Sequence, residues 1–143
     1  MNKSQNDSVN QIEFDPILMA VLGNRLNAIV REMSNTLLRT ARSAVLAVVR
    51  DFSCSMVTAD NQMLCPGEGL PVHIFGSSLQ TASMCDIHKN LKPGDAFLHN
   101  DPYLGNTHPA DHMIMVPVII DGEHLFTACA KAHQADCGNS IPS

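Results

Sequence analysis

Two short H-x-x-D elements in this 143-residue chain consist of residue types that bind divalent metals. The first lies in THPAD, Thr107 to Asp111, and the second is HQAD, His133 to Asp136. Imidazole is a borderline-soft neutral ligand and carboxylate balances the charge of a cation, so together they suit Zn²⁺, Mn²⁺ or Fe²⁺. A coordination position left to water would then let the metal lower the pKa of that water for nucleophilic attack.

A predicted β-hairpin would bring the two elements together. Its apolar runs, MIMVPVII and EHLFTACAKA, are joined by Asp121-Gly122, a pair that favours a two-residue type I′ turn. In the register that this turn sets, His133 falls opposite Ala110 and Asp136 falls opposite Thr107. The sequence therefore predicts one divalent-metal site, with the ligands His108, Asp111, His133 and Asp136.

A structural interpretation stands beside each of these assignments. Asn, Asp, Gly, Pro and His are common in loops, so one H-x-x-D element alone is more often structural than metal-binding. Two elements brought together by one hairpin favour the metal site. His73, which lies among apolar neighbours in LPVHIFG, is interpreted as a core histidine, and lining the same pocket is its second interpretation.

Three further polar residues are candidates for catalysis. Asn100 and Asp101 precede a proline, so they either build a turn or orient a substrate. Asp51 follows Arg50 and either forms a local ion pair or contributes to the site. The predicted catalytic set is therefore Asp51, Asn100 and Asp101, which support the metal ligands or the substrate.

The first element that must support this site is a long helix. Asp15 and Pro16 suit the N-cap and the first helical position. Apolar residues then recur at spacings of three and four and form one stripe: Leu18, Leu22, Leu26, Ile29, Met33 and Leu37. The pattern predicts a helix to about Arg42, or to Val49 if the following Ala- and Val-rich stretch continues it, with the stripe packed in the core.

The remaining elements alternate between strand and helix patterns. FSCSMVTADNQML predicts a β-hairpin that turns at residues 59–61, and CPGEGLPVH after it predicts a loop. A second helix is predicted from Ser77 to Leu91, and AFLHN predicts a short buried strand. The fold class is therefore α+β, with a long amino-terminal helix followed by β-hairpins and a second helix.

Composition excludes several classes of partner. The net charge is −5 and the nine Lys and Arg residues build no basic face, so neither nucleic acid nor an anionic membrane is expected to bind. The longest apolar run, MIMVPVII, is far shorter than the roughly 20 residues that span a bilayer. Five widely spaced cysteines with no C-x-x-C pair indicate buried thiols in a reducing cytoplasm.

Four segments resemble the hydantoinase B/oxoprolinase family: RDFSCSMVTADNQML, LPVHIFG, KPGDAFLHNDPYLGNTHPADH and AKAHQADCGN. The pattern N-D-P-Y-x-G-x-T-H-x-x-D followed by A-H-x-x-D-x-G is the most specific part of this resemblance. The polar opening, MNKSQNDSVNQI, predicts a disordered tail at residues 1–13, and the resemblance implies a hydantoinase B-like domain at residues 14–143. That domain is expected to be the amino-terminal portion of a larger mixed α/β subunit, and to be inactive alone.

The resemblance also implies a function. Family members hydrolyse cyclic amides of the hydantoin or 5-oxoproline type, together with a hydantoinase A-type subunit that binds and uses ATP. A hetero-oligomer in the cytoplasm is therefore expected, with metal ligands in the two H-x-x-D elements. The alternatives are an acetone carboxylase-like large subunit and a non-catalytic interaction module. Many members have G-G-T-H and A-H-H-A-D where this chain has GNTH and AHQAD, a departure that leaves the substrate open.

Overall fold

The computed structural model describes residues 15–135, 137, 138 and 140. The predicted disordered tail at residues 1–13 therefore lies outside the described residues. Helices and strands form the predicted α+β arrangement: α1 Pro16–Thr40, β1 Phe52–Thr58, β2 Met63–Gly69, α2 Pro71–Phe75, α3 Ser77–Ile87, β3 Phe97–His99, β4 Asp111–Ile120 and β5 Glu123–His133. A π-helical turn at Val45–Val49 and a 3-10 turn at Pro102–Leu104 complete it. Within the described part of the chain, no helix is long and apolar enough to cross a membrane.

The first helix begins as predicted and ends slightly earlier. The Asp15 carboxylate accepts hydrogen bonds from the amides of Ile17 and Leu18, which caps the helix. The helix ends at Thr40, and Val45–Val49 forms a separate π-helical turn because residues 41–43 interrupt the helix. The predicted end at about Arg42 is close, and the continuous extension to Val49 is wrong.

Two other boundaries differ from the sequence prediction. The segment predicted as a loop, CPGEGLPVH, contains the end of β2 and most of α2. Pro71 starts α2 because a proline at the first helical position loses no hydrogen bond, and five residues are too few to show a helical period. The next helix, α3, ends at Ile87 and not at Leu91.

One antiparallel sheet organises the chain, with the strand order β2-β1-β5-β4-β3. On one face α1 packs against β1 and β2, where Val30 joins a core with Cys54, Met56 and Cys65. On the other face Met84 of α3 packs in a core with residues of β1, β4 and β5. The sheet is therefore covered on both faces, but α1 covers only two of its strands.

The stripe of α1 is only partly buried. Val30 is buried, while Leu18, Leu22 and Ile29 are exposed to between 45% and 53%. The prediction that the whole stripe packs in the core is therefore wrong for the first half of the helix. Periodicity identified an apolar face correctly, but it does not specify which surface covers that face.

The register of the β4–β5 hairpin differs from the prediction by one residue. Asp121 and Gly122 both adopt positive φ, as a type I′ turn requires. Ile119 pairs with His124, but Val118 pairs with Phe126, so Leu125 is an extra residue in a β-bulge. His133 consequently pairs with Asp111, and the predicted pairing with Ala110 is wrong.

This bulge decides which side chains share a face. Side chains alternate along a strand, so paired residues point to the same face and a one-residue slip exchanges the faces. In the unbulged register the side chains of Asp111 and His133 would point to opposite faces. In the observed register they lie side by side.

Two single-residue deletions test this register. Deleting Leu125 removes the extra residue and preserves every pair from Val118 onward, so we expect the Asp111–His133 pair and metal binding to be retained. Deleting Ile114 from β4 shifts Asp111 toward Ala132 and the opposite face, so we expect metal binding to fall at least tenfold. Metal content by elemental analysis and folding by circular dichroism would be measured for both variants. Equal metal loss in both would contradict the assigned register.

Candidate metal centre

The carboxylate of Asp111 is fully buried at the first position of β4. The hydroxyl of Thr107 donates a hydrogen bond to its Oδ2. Nδ1 of His133 lies 3.1 Å from Oδ1, and Nε2 of His73 lies 3.3 Å from Oδ2. A buried carboxylate is costly unless it is hydrogen-bonded or paired, and these three side chains supply that compensation.

His108 approaches the same carboxylate from an ordered loop. Its Nε2 lies 3.7 Å from Oδ2 of Asp111, and its ring meets the His133 ring edge-on at 5.0 Å between centroids. The amide of Asn106 fixes the loop by donating to the backbone oxygens of His108 at 2.7 Å and Asp111 at 2.8 Å. The side chain of His108 itself is half exposed, so the cluster opens toward solvent on this side.

Asp51 and His73 complete the cluster. Asp51 precedes β1, and its backbone oxygen accepts a hydrogen bond of 3.0 Å from the amide of His133. Its Oδ1 lies 3.4 Å from Nε2 of His73, which therefore faces two carboxylates. Arg50, the residue before Asp51, has a φ of 60°. This left-handed conformation ends the π-helical turn and directs the chain into β1.

The protonation states suit metal ligation. Burial alone would raise the pKa of Asp111, but the hydrogen bond from Thr107 and the neighbouring imidazoles outweigh it and hold this pKa below the ordinary value. Burial also lowers the pKa of His73, against the opposing influence of the two carboxylates, and favours a neutral ring. The ionised carboxylate at Asp111 is the donor form that a divalent ion requires.

The geometry of three predicted ligands fits one metal ion. One ligand atom from each of His108, Asp111 and His133 can be chosen so that all lie within 4.8 Å of one another. In a tetrahedral zinc site with bonds of about 2.0–2.2 Å, ligand atoms are roughly 3.3 Å apart. His133 Nδ1 lies 3.1 Å from Oδ1 of Asp111 and His108 Nε2 lies 3.7 Å from Oδ2, so each imidazole is near that spacing from a different carboxylate oxygen. Nδ1 of His108 also lacks a hydrogen-bond partner among the described residues, so hydrogen bonding within the protein does not explain the orientation of this ring.

The other sequence candidates have different positions. Asp136 lies outside the described residues, so its ligand role stays a prediction. Asn100 donates a hydrogen bond to the backbone oxygen of Pro109, and Asp101 accepts one from the amide of Tyr103. Both side chains are exposed and these bonds build the loop that carries His108, so their catalytic role stays a prediction.

Sequence reasoning missed part of the cluster. A core role is the favoured interpretation of His73 from sequence, yet this ring contacts both carboxylates. Thr107 and Asn106 are not among the sequence candidates, although both lie at the first H-x-x-D segment and hydrogen-bond to Asp111. A polar residue directly before a ligand motif is the signal that would have identified them.

Lys131 was also missed, and it is the largest fully buried side chain in the described residues. It lies on β5 two residues before His133 and pairs with Met113. Its Nζ has no hydrogen-bond partner among the described residues. Burial lowers the pKa of Lys131 to about 8, although the Asp111 charge opposes this shift. The positive charge of the Lys131 ammonium is therefore poorly compensated in its buried position.

Known proteins are similar to this chain over most of its length. The profile of the hydantoinase B/oxoprolinase family matches residues 15–143. A 5-oxoprolinase of Pestalotiopsis fici is 30% identical over 132 residues, which cover 92% of this chain and 10% of that protein. The caprolactamase beta subunit of Pseudomonas jessenii is 33% identical over 132 residues, covering 90% of this chain and 22% of that protein.

Two solved structures share the fold. The crystal structure of the ATP-dependent caprolactamase from Pseudomonas jessenii superposes with a TM-score of 0.82 at 30% identity, over 91% of this chain and 23% of that one. Nucleotide-free acetone carboxylase gives a TM-score of 0.81 at 27% identity, over 92% of this chain and 18% of that one. In both, the match is to the amino-terminal part of a larger chain.

Lys131 generates a stability prediction. Replacing a poorly compensated buried charge by an apolar group of similar length is often neutral or stabilising, by about 1 to 3 kcal/mol. We expect Lys131→Met to raise the thermal unfolding midpoint at neutral pH by a few degrees in metal-free buffer. Lys131→Arg, which keeps the charge in a larger group, should lower it. If Lys131→Met destabilises the chain, the ammonium is instead an essential partner of Asp111.

Proposed function

This chain belongs to the hydantoinase B/oxoprolinase family, and on that premise we propose that it forms the metal centre of a hydrolase for cyclic amides. The substrates would be of the hydantoin, 5-oxoproline or lactam type, as the names of its relatives indicate. The chain spans about a tenth of the 5-oxoprolinases and about a fifth of the caprolactamase beta subunit. Hydrolysis would therefore also need groups from the remainder of such a protein.

The observation that carries this proposal is the cluster of ligand atoms from His108, Asp111 and His133. These residues would hold Zn²⁺, Mn²⁺ or Fe²⁺, with Asp136 as the predicted fourth ligand. When bound, such an ion supplies Lewis acidity toward a carbonyl oxygen. A non-catalytic interaction module gives no reason to bury a carboxylate among three imidazoles.

The chain's own residues have separate tasks in this proposal. Thr107 and Asn106 fix the orientation of Asp111 and of the loop around His108 through their hydrogen bonds. His73 lies between the carboxylates of Asp51 and Asp111, where its Nε2 can donate a hydrogen bond to one of them. His108 is the half-exposed member and faces arriving substrate.

The partner in this proposal is a hydantoinase A-type subunit that binds ATP. Two relatives, a caprolactamase beta subunit and the B subunit of a putative D-/L-hydantoinase, carry names that denote members of multi-subunit enzymes. The solved caprolactamase is described as ATP-dependent. In this proposal ATP binds to the partner, and the assembly is a hetero-oligomer.

A cytoplasmic location is part of the same proposal. All five cysteines are free, and three of them are buried. Burial raises the pKa of Cys129 to about 12, so this thiol is unreactive. Unpaired thiols at this frequency fit a reducing compartment.

Acetone carboxylase-type chemistry is the second candidate function. The specific observation in its favour is that the acetone carboxylase structure matches almost as well as the caprolactamase structure. In that case ATP consumption would require bicarbonate and a ketone. The higher sequence identity with the caprolactamase favours ring hydrolysis.

Metal content is the first test. After chelation and dialysis against Zn²⁺, Mn²⁺ or Fe²⁺, we expect about one equivalent of metal per wild-type chain by elemental analysis. His108→Ala/His133→Ala should lose it, because two of three clustered ligands are removed. His124→Ala is the control, since His124 lies near the hairpin turn and hydrogen-bonds to Thr127. Equal metal in the double variant and the control would contradict the site.

Activity requires the remainder of a family member. In a caprolactamase chimera, this chain replaces the matched region of the Pseudomonas jessenii caprolactamase beta subunit within the whole enzyme. We expect ATP-dependent ring opening of caprolactam, 5-oxoproline or hydantoin, measured as released amino acid. Asp111→Asn should lower kcat at least 100-fold because the central carboxylate is lost, whereas the same exchange at the turn, Asp121→Asn, should not.

Two outcomes would separate the candidate functions. ATP consumption that depends on bicarbonate and acetone, without ring opening, would favour the carboxylase function. Asp111→Asn with the same kcat as Asp121→Asn would contradict a catalytic role for the metal centre in either reaction.

A further inference from the structure

Half of one sheet face has no helix over it in the described part of the chain. The register places side chains of Cys54, Ala130, Ile114 and Leu98 in one row across β1, β5, β4 and β3. This row lies on the face where α1 packs against β1 and β2. Beyond the row's first strand the face opens, because Ile114 is 50% and Leu98 is 69% exposed.

The open half, here called the alanine seat, has an unusual composition. On β5 its residues are small, and on β4 and β3 they are larger and apolar: Ala128, Ala130, Ala132, Ile114, Val116 and Leu98. None of these six side chains is charged or polar, and His112, which pairs with Ala132, lies at the end of the same face. Small residues let a helix backbone approach closely, while flanking larger ones fill the spaces beside it.

A groove along α1 forms one edge of the seat. Its volume is about 460 Å³, and α1 lines it with the apolar Ile29, Met33 and Leu37 and with the polar Glu32, Thr36 and Thr40, while the sheet contributes Cys54 and Ala130. Side chains of α1 therefore form a wall and alanine forms the floor. A second element lying on the seat would pack against both.

The width of the seat fits one helix. Strands are about 4.8 Å apart, so the sheet is roughly 19 Å wide between the axes of its outer strands. Packed helices lie about 8–10 Å apart, so one face of this sheet accommodates two of them side by side. One position is taken by α1, and the seat is the other.

We propose that the alanine seat docks an amphipathic helix from the part of a hydantoinase B-type protein that this chain does not span. The chain covers 22% of the caprolactamase beta subunit and 23% of the solved caprolactamase chain, so such proteins contain ample further sequence. A seat of apolar side chains with polar residues at its margins selects a helix with an apolar stripe. Residues 1–14, MNKSQNDSVNQIEF, are too polar to provide one.

This inference rests on family membership and not on the metal centre. Seat residues occupy even positions of β5 and site residues occupy odd ones. Loss of the metal would therefore leave the seat's apolar surface as it is, and failure of either proposal would be recognised separately.

Thiol protection tests the proposal. Ile114→Cys would be prepared in the isolated chain and in the caprolactamase chimera, and its labelling by a maleimide would be followed by mass spectrometry of its peptide. We expect rapid labelling in the isolated chain and at least tenfold slower labelling in the chimera. The denatured chimera, which should label rapidly, is the control that protection comes from the folded protein.

A charge substitution provides the second measurement. Leu98→Arg places a cation in the seat, and we expect it to lower the thermal midpoint of the chimera by about 5 °C or more while leaving that of the isolated chain within about 2 °C. Leu98→Met, which stays apolar, is the matched control and should change neither. Equal effects of Leu98→Arg in both contexts would overturn the proposal.

Two further outcomes would overturn it as well. Unchanged labelling of Ile114→Cys in the chimera would show that the remainder of the caprolactamase chain does not cover the seat. Protection already present in the isolated chain, together with a dimer in sedimentation, would assign the seat to a second copy of this chain.

Discussion

The buried carboxylate of Asp111 is the constraint on which the rest of the structure depends. A charged group without solvent contact is tolerated only where other groups compensate it. Its partners come from three places: the loop with Thr107 and His108, the short helix that carries His73, and the neighbouring strand that carries His133. The turn chemistry of the loop, the proline that starts α2 and the β-bulge all serve to bring those partners to one point.

That constraint divides the molecule into two unlike halves. On the α1 side the sheet is apolar, whereas on the α2 and α3 side polar residues are buried between sheet and helices. They include Ser53, Ser55, Ser77, Gln80, Thr81 and Lys131. Buried polar atoms without a hydrogen-bond partner in the described residues include His73 Nδ1, His108 Nδ1 and Lys131 Nζ, which belong to residues around the Asp111 carboxylate. Unsatisfied groups cost stability, so this end of the sheet is not optimised for packing alone.

The sequence predicted the hairpin well because its signal is local. Asp121-Gly122 requires no knowledge of the rest of the chain to form its turn, and the metal-ligand residue types are visible beside it. The bulge at Leu125 has no such signal, since nothing in the run of apolar residues marks one as extra. His73 was missed for a related reason: α2 is too short to show a period, and only the tertiary fold places that ring between two carboxylates.

Strand β5 contributes side chains both to the carboxylate cluster and to the alanine seat. Its odd-numbered residues, including Lys131 and His133, face the carboxylate cluster, and its even-numbered residues, including Ala130 and Ala132, face the open half of the sheet. The two faces of a strand share one backbone, so a helix packed on the alanines would also limit the movement of His133 on the opposite face. Metal ligands need to be held within fractions of an ångström by their supports. In the two proposals made above, the docking of a helix and the precision of the metal centre therefore depend on the same backbone.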